Sequence, residues 1–483
     1  MTMMNKTQRP LVWLLFALLI TRLLTLGFYP LFDTTEARYA EIARKMVELN
    51  DWITPWDQYG IAFWAKPPLS FWASATSLKL FGINEFAARL PHFLLGILIL
   101  WLVWNWLARS RPVEALYAIV LLAASLLFFA SAGAVMTDMS LALGCIITMR
   151  GLWVGLHGSP DERRRERWLL FIGAGIGLLA KGPIALVLTG MPILLWTVTQ
   201  SRVSIVIRAF PWFRGLLLTL LISLPWYLLT ELHTPGFINY FILGEHWHRF
   251  ITPGWKGDMY GHAHVFPRGA IWGFTFLGVL PWSILLPLLI LWNRKSLLHT
   301  PRIDTYTRSW RWFLLLWGLT PCVFFTLAAN IIWTYDLPGL PALAMCTASW
   351  LTASLAQKKT EKMLCTGLVV TLIGWLAFMS DHGSYNLNDS GTTKSLVAEY
   401  EKRRHPNEAL IFYRTPPYSA EFYTRGKVES LRNMADMGAR LNGGAMYLAI
   451  SKRQLRLQPL AEEFKNRLKL IDDQGDFELF YAE

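Results

Sequence analysis

The chain has 483 residues, 54% of them hydrophobic and only 16% charged, with 24 tryptophans. Apolar runs of roughly 18–20 residues recur along most of its length, each long enough to cross a bilayer as a helix, so a wholly water-soluble protein is excluded. The formal charge of +13 does not call for nucleic acid, because the lysines and arginines collect in alternate loops, the positive-inside pattern.

The N-terminus carries Lys6 and Arg9 before an apolar run from Leu11 to Leu26. It is similar to a signal peptide but has no small-residue cleavage site, so it reads as an uncleaved first helix. Spans are predicted near 11–28, 86–107, 113–132, 138–156, 168–180, 183–200, 212–230, 268–292, 311–329, 335–356 and 362–380. The fifth is short and forms, with the sixth, a candidate hairpin broken at Lys181-Gly182-Pro183. With the N-terminus inside, the inner loops carry Arg109/Arg111, Arg163–Arg165, Arg202/Arg208, Arg294/Lys295 and Lys358/Lys359. Every one is basic, which sets the orientation.

Segments 29–85, 231–267 and 381–483 then face outside. Residues 35–49 have an amphipathic pattern: Tyr39, Ile42, Ala43 and Met46 share one side, while Arg38, Glu41, Lys45 and Glu48 lie mainly elsewhere. This predicts a helix lying on the outer membrane surface. In the tail, Ser395–Arg404, Pro417–Thr424 and Gln454–Leu468 read as helices, and Ala409–Tyr413, Ala445–Ile450 and Phe477–Tyr481 as strands. The expected architecture is a mainly α, polytopic helical bundle of about eleven membrane helices, residues 1–380, followed by a small outward-facing α/β domain, residues 381–483. The tail shows no Gly-rich phosphate loop and no metal motif. The four cysteines lie in or at the ends of apolar spans, without metal-ligand spacing.

Ionisable groups at a bilayer face are costly unless solvated, paired or used. Five groups stand out. Asp33 with Glu36 reads either as a capping-box-like helix start or as an exposed carboxylate able to act as a general base. Asp138 has the same two readings, and by topology it falls at the same membrane face as Asp33. Lys66, ahead of Pro67 and Pro68, suits an anion such as a phosphate or a snorkelling contact with headgroups. Lys181 lies on the outer side against the charge rule, which favours its holding a lipid phosphate over a general headgroup contact. Glu245-His246-Trp247-His248-Arg249 precedes His262 and His264. These histidines are weak metal candidates, and a metal-free site in which His246 and Arg249 bind substrate oxygens is the alternative. No cofactor is called for with certainty, and a divalent metal has only this weak support.

Taken in order, Asp33…Glu36-Ala37-Arg38-Tyr39-Ala40-Glu41, Lys66-Pro67-Pro68-Leu69, Ala88-Arg89-Leu90-Pro91, Ala180-Lys181-Gly182-Pro183, Pro281-Trp282-Ser283 and Tyr335-Asp336-Leu337-Pro338 resemble the bacterial aminoarabinose transferases. These belong to the wider protein O-mannosyltransferase-like superfamily of GT-C glycosyltransferases, and the resemblance covers roughly the first 350 residues. It implies a GT-C-type fold and transfer of a sugar from an undecaprenyl-phosphate carrier to a lipid or glycan acceptor at the outer face of the inner membrane. It implies an inverting mechanism with Asp33 as base, Asp138 as second carboxylate and Glu36 as the alternative base. Arg38, Tyr39, Lys66, Lys181, Glu245, His246 and Arg249 are the implied substrate and lipid-phosphate ligands. Two positions depart from the family pattern. Thr35-Glu36 stands where many relatives carry Asp-Glu, and Ala65 stands where the aminoarabinose transferases carry a glutamate implicated in metal binding. The rival readings are a flippase of lipid-linked sugars, which would show inverted repeats and midplane charges, and an O-antigen ligase or polymerase.

Overall fold

The computed structural model describes residues 8–261, 264–297, 304–382, 391–441, 444–460, 466–473 and 475–482. The chain is mainly helical, with a small sheet near its C-terminus. It divides into two compact units. One is built from Met1–Leu24, Trp52–Ala73 and Leu90–Trp375, the other from Thr25–Asp51, Ser74–Arg89 and Leu376–Glu483.

All eleven predicted spans fall on helix. Four helices among the described residues are long and apolar enough to cross a membrane by themselves: Glu85–Leu107, Asp138–His157, Trp212–His233 and Gln357–Asp381. The pair Ala270–Gly278 and Trp282–Asn293 forms a fifth if counted as one span, bent by 78°. Of the remainder, Thr305–Thr326 is long enough at 22 residues but less apolar, and the others are shorter or interrupted. Predicted span 113–132 breaks at Ala124–Ser125 into Pro112–Ala123 and Leu126–Ser131, and 335–356 opens as a 3-10 turn, Trp333–Gly339, before Leu340–Ser354.

The core of the first unit is aromatic. Trp153 lies against Trp310, Phe313 and Trp196, with ring centroids 4.7, 5.0 and 5.7 Å away. Helices Asp138–His157 and Leu169–Lys181 approach through glycine: a Cβ on Gly144 would meet the backbone of Gly177 at 2.7 Å. Small residues of this kind let membrane helices pack backbone to backbone. The hairpin predicted at Lys181-Gly182-Pro183 is present, turning at Gly182 with φ +82°, where a Cβ would strike the Phe241 ring.

The second unit carries a five-stranded mixed sheet. Trp56–Gln58 (β1) and Ile61–Ala62 (β2) form a separate hairpin in the first unit. In the second unit, Leu410–Tyr413 (β3), Val428–Leu431 (β4), Met446–Ser451 (β5), Leu468–Asp472 (β6) and Phe477–Ala482 (β7) run in the order β4-β3-β5-β7-β6. β3 is parallel to β4 and β5, and β7 is antiparallel to β5 and β6. The central β3 and β5 are buried almost throughout, as their apolar runs require. Sequence reading found β3, β5 and β7 and missed β4 and β6. Of the helix predicted over Gln454–Leu468, the described residues show Lys452–Leu457, which stops before Pro459, while Leu468 opens β6; residues 461–465 lie outside the described residues.

Helix Thr35–Leu49 belongs to this second unit. It ends at Asn50, left-handed at φ 51°. The charged side expected to face water is instead partly buried: Glu41 and Lys45 are fully enclosed. Arg44 donates to both Glu41 oxygens at 2.6 and 2.8 Å, and Lys45 Nζ donates to Glu421 of the C-terminal helix Tyr418–Tyr423 at 2.7 Å. Each buried charge has a partner, as burial demands.

Candidate active site

In the first unit a cavity of about 340 Å³ has a polar end and an apolar wall. Lys66, Lys181, Glu245, His246, Arg249 and Tyr335 line the polar end. Leu141, Ile184, Val187, Leu188, Phe324 and Phe325 line the wall.

Lys66 is placed by the β1–β2 hairpin and by Tyr260, whose hydroxyl donates to Ala62 O (2.7 Å) and accepts from Trp64 N (3.0 Å). The following prolines then admit helix Leu69–Phe81. Glu245 and Arg249 lie on a π-helical stretch, Tyr240–His248, that continues into Arg249–Ile251. Such π segments recur at functional sites, and nothing in the sequence marked this one. Asn330 fixes the loop from below: its amide donates to Arg249 O (2.6 Å) and Thr252 O (2.9 Å), and its oxygen accepts from Gly254 N (3.2 Å).

Glu245 is the hub. Lys66 Nζ donates to its Oε1 at 2.5 Å, and Arg249 Nη1 lies 2.9 and 2.7 Å from its two oxygens. Burial alone would raise the Glu245 pKa, but Lys66 and Arg249 outweigh it and hold the carboxyl below its ordinary value. Burial lowers the Lys66 pKa against the pull of Glu245. Lys181 Nζ donates to Asp138 Oδ1 at 2.6 Å and lies 4.7 Å from the Tyr335 ring. Asp138 is thus an ion-pair partner at the first residue of its helix, and not its cap: the N-cap is Thr137, with no side-chain bond.

The described histidines are not assembled for metal. His246 Nδ1 lies 2.8 Å from Phe241 O and its Nε2 3.3 Å from Lys181 O, and burial keeps its pKa below the usual value. His248 stacks on Trp255 at 6.2 Å. His262 lies outside the described residues. Among the described residues no three His, Cys, Asp or Glu side chains converge on a metal position.

His264 lies in the first unit, where its carbonyl accepts from Ile331 N at 3.1 Å. Asp33, Glu36, Arg38 and Tyr39 belong to the second unit. Asp33 does not cap helix Thr35–Leu49, whose N-cap is Thr34 with no side-chain bond. Its Oδ1 accepts from Ser419 N at 3.1 Å and its Oδ2 from Ser419 Oγ, while Asp33 N donates to Gly391 O at 2.7 Å. Burial raises the Asp33 carboxyl to about 6 against the lowering effect of the Ser419 hydrogen bonds. Both Glu36 oxygens accept from Arg89 at 2.8 Å, and Oε2 also accepts from Phe32 N at 3.3 Å. Arg38 lies 5.4 Å from the Tyr418 ring, and Tyr39 is buried. Five of the six charged or titratable residues of the cavity's polar end are thus among the candidates read from the sequence. Sequence reading missed Asn330 as a ligand of the loop, and it gave no role to Tyr335 although the Tyr335-Asp336-Leu337-Pro338 motif was conspicuous.

Residues 9–241 match the family model described as dolichyl-phosphate-mannose-protein mannosyltransferase. The structure superimposes on ArnT from Cupriavidus metallidurans bound to undecaprenyl phosphate with a TM-score of 0.76, over 98% of each chain at 18% identity. The apo form of the same protein gives 0.76 over 97% of each chain. This likeness is one of fold, and the fold is that of the GT-C membrane glycosyltransferases. The undecaprenyl phosphate-alpha-4-amino-4-deoxy-L-arabinose arabinosyl transferase of Pseudomonas savastanoi is 30% identical over 398 residues, 78% of this chain and 68% of that protein. The protein of the same name from an Enterobacter species is 30% identical over 379 residues, 77% of this chain and 64% of that protein. The chain belongs to this aminoarabinose transferase-like family. It spans about two thirds of the length of these curated relatives.

Proposed function

We propose that the chain is an inverting glycosyltransferase that moves a sugar from an undecaprenyl-phosphate carrier to a cell-envelope acceptor such as lipid A, O-antigen or another glycan. The observation that carries this reading is the cavity itself: Lys66, Lys181 and Arg249 meet at its polar end, directly beside an apolar wall. An amphipathic donor has those two halves, with the phosphate among the cations and the isoprenoid along the wall. The charge that develops on the leaving phosphate meets preorganised donors in a dry site, the setting in which such stabilisation is largest. A single displacement needs no protein nucleophile, and Asp33 takes the proton of the acceptor hydroxyl. In this reading the chain has about eleven spans, the N-terminus is cytoplasmic, and residues 381–483 are periplasmic, as is the Asp33 loop.

A base of this kind works only when ionised. Transfer is therefore expected to fall as pH drops below about 6, where Asp33 takes up its proton. The hydrogen bonds from Ser419 favour the carboxylate, so Ser419→Ala is expected to move the acid limb upward by about one pH unit. An unmoved limb separates Asp33 from the rate-limiting ionisation.

The direct test is transfer by purified protein in detergent, with undecaprenyl-phosphate sugars as donors and a membrane-glycolipid extract as acceptor. Labelled product from the wild type and from Glu36→Gln, but not from Asp33→Asn, is the expected result. A wild type that transfers nothing but moves labelled lipid across liposomes is a flippase, and the proposal falls.

A further inference from the structure

Glu245 is a peculiar occupant for a cavity that takes an anion. Its side chain is 2% exposed and sits between Lys66 and Arg249, 2.5 and 2.7 Å from them. Asp258 adds a second carboxylate 3.4 Å from Arg249, and Asp138 neutralises Lys181. Three cations thus face three carboxylates, and the polar end is balanced before any phosphate arrives. Arg249 Nε is meanwhile buried with no acceptor among the described residues, so the guanidinium retains an unspent donor.

We infer that Glu245 is an internal stand-in for the phosphate: it holds Lys66 and Arg249 in the empty cavity and, once a lipid phosphate binds, disfavours a doubly charged monoester more than a singly charged diester. The inference rests on the proposed function. Repulsion between Glu245 and a bound phosphate grows with the phosphate's charge, and it is weakly screened at this depth. A sugar-phosphate-lipid donor is a diester with one negative charge. The carrier released after transfer is a monoester whose second ionisation lies near pH 6, so it is largely a dianion at pH 8. Glu245 therefore favours the donor over the spent carrier and hastens the carrier's departure. This makes it a specificity residue, with no bond made or broken through it.

The experiment is a titration of full-length protein in detergent, followed by tryptophan fluorescence at pH 8. The probes are undecaprenyl phosphate and its methyl diester. Glu245→Gln keeps the shape and a hydrogen-bond acceptor but removes the charge. It is expected to bind the monoester about tenfold more tightly or better, with a smaller gain for the diester, so that the preference narrows. Glu245→Asp keeps the charge and is expected to keep the preference, which guards against reading a folding defect as an effect. An unchanged monoester-to-diester ratio in Glu245→Gln, or equal weakening of both, overturns the inference while leaving the proposed function standing. If the wild type binds neither lipid, the proposed function fails with it.

Discussion

Lys66→Met is expected to lower the rate of sugar transfer by roughly 10²–10³-fold, the loss typical of removing one preorganised donor from a developing negative charge. Methionine preserves most of the side-chain volume, and Arg249 still holds Glu245 at 2.7 Å, so the loop keeps its main anchor. The defect should therefore appear in kcat more than in the amount of folded protein. Lys181→Met makes the useful contrast. It strands Asp138, 2% exposed, without its 2.6 Å partner, and a carboxylate left buried and unpaired destabilises by about 3–5 kcal/mol. Its loss should therefore show first as a lower thermal midpoint in detergent. Single-turnover rates measured per folded molecule distinguish the two. Equal rates for Lys66→Met and wild type would remove Lys66 from the phosphate site.

The second large effect lies at Arg89. This side chain is fully buried and donates to Leu26 O, Tyr29 O and Pro30 O at 2.7–2.8 Å as well as to Glu36, with its guanidinium 3.6 Å from the Tyr29 ring centre. Arg89→Met removes every one of those donors together with Glu36's ion-pair partner, an expected cost of about 3–5 kcal/mol. Glu36→Gln should cost less, since the amide oxygen still accepts from the guanidinium. The double variant should cost clearly less than the sum, because the two side chains form one interaction. Additive losses in urea unfolding would show that the pair does not act as a unit. Because Glu36 is committed to Arg89, its replacement is expected to lower stability and leave the chemistry per folded molecule intact.

Much of this was legible in the chain, for identifiable reasons. Each of the eleven apolar runs falls on helix, although four helices among the described residues are long and apolar enough to span by themselves, and the basic loops group segments 29–85 and 231–267 on one side, which makes Lys66 and Glu245, 2.5 Å apart, candidates for one site. Lys181 drew notice by lying against the charge rule. What local pattern could not carry were pairings across hundreds of residues. Ser419 is an ordinary serine in a polar tail, and nothing near it predicts that it holds Asp33. The amphipathic pattern of 35–49 marks the helix, but it places Lys45 on the polar side, because its partner Glu421 is 376 residues away. The short strand β4, Val-Glu-Ser-Leu, has too little alternation to announce itself. The π-helical turn that aligns Glu245 with Arg249 has no sequence signature at all.

The grip of Ser419 on Asp33 also sets a timetable. The two residues are 386 positions apart, and at roughly 5–20 residues per second of synthesis the serine emerges some 20–80 s after the aspartate. During that interval the segment around Asp33 lacks the partners that Ser419 and Glu421 provide, and Lys45 waits for its counter-charge. The order of assembly is thereby reversed relative to the order of translation: the first polar segment made is among the last to be fixed. A nascent chain stalled or truncated before residue 419 would leave this segment unfinished, open to proteases and unable to take its final form.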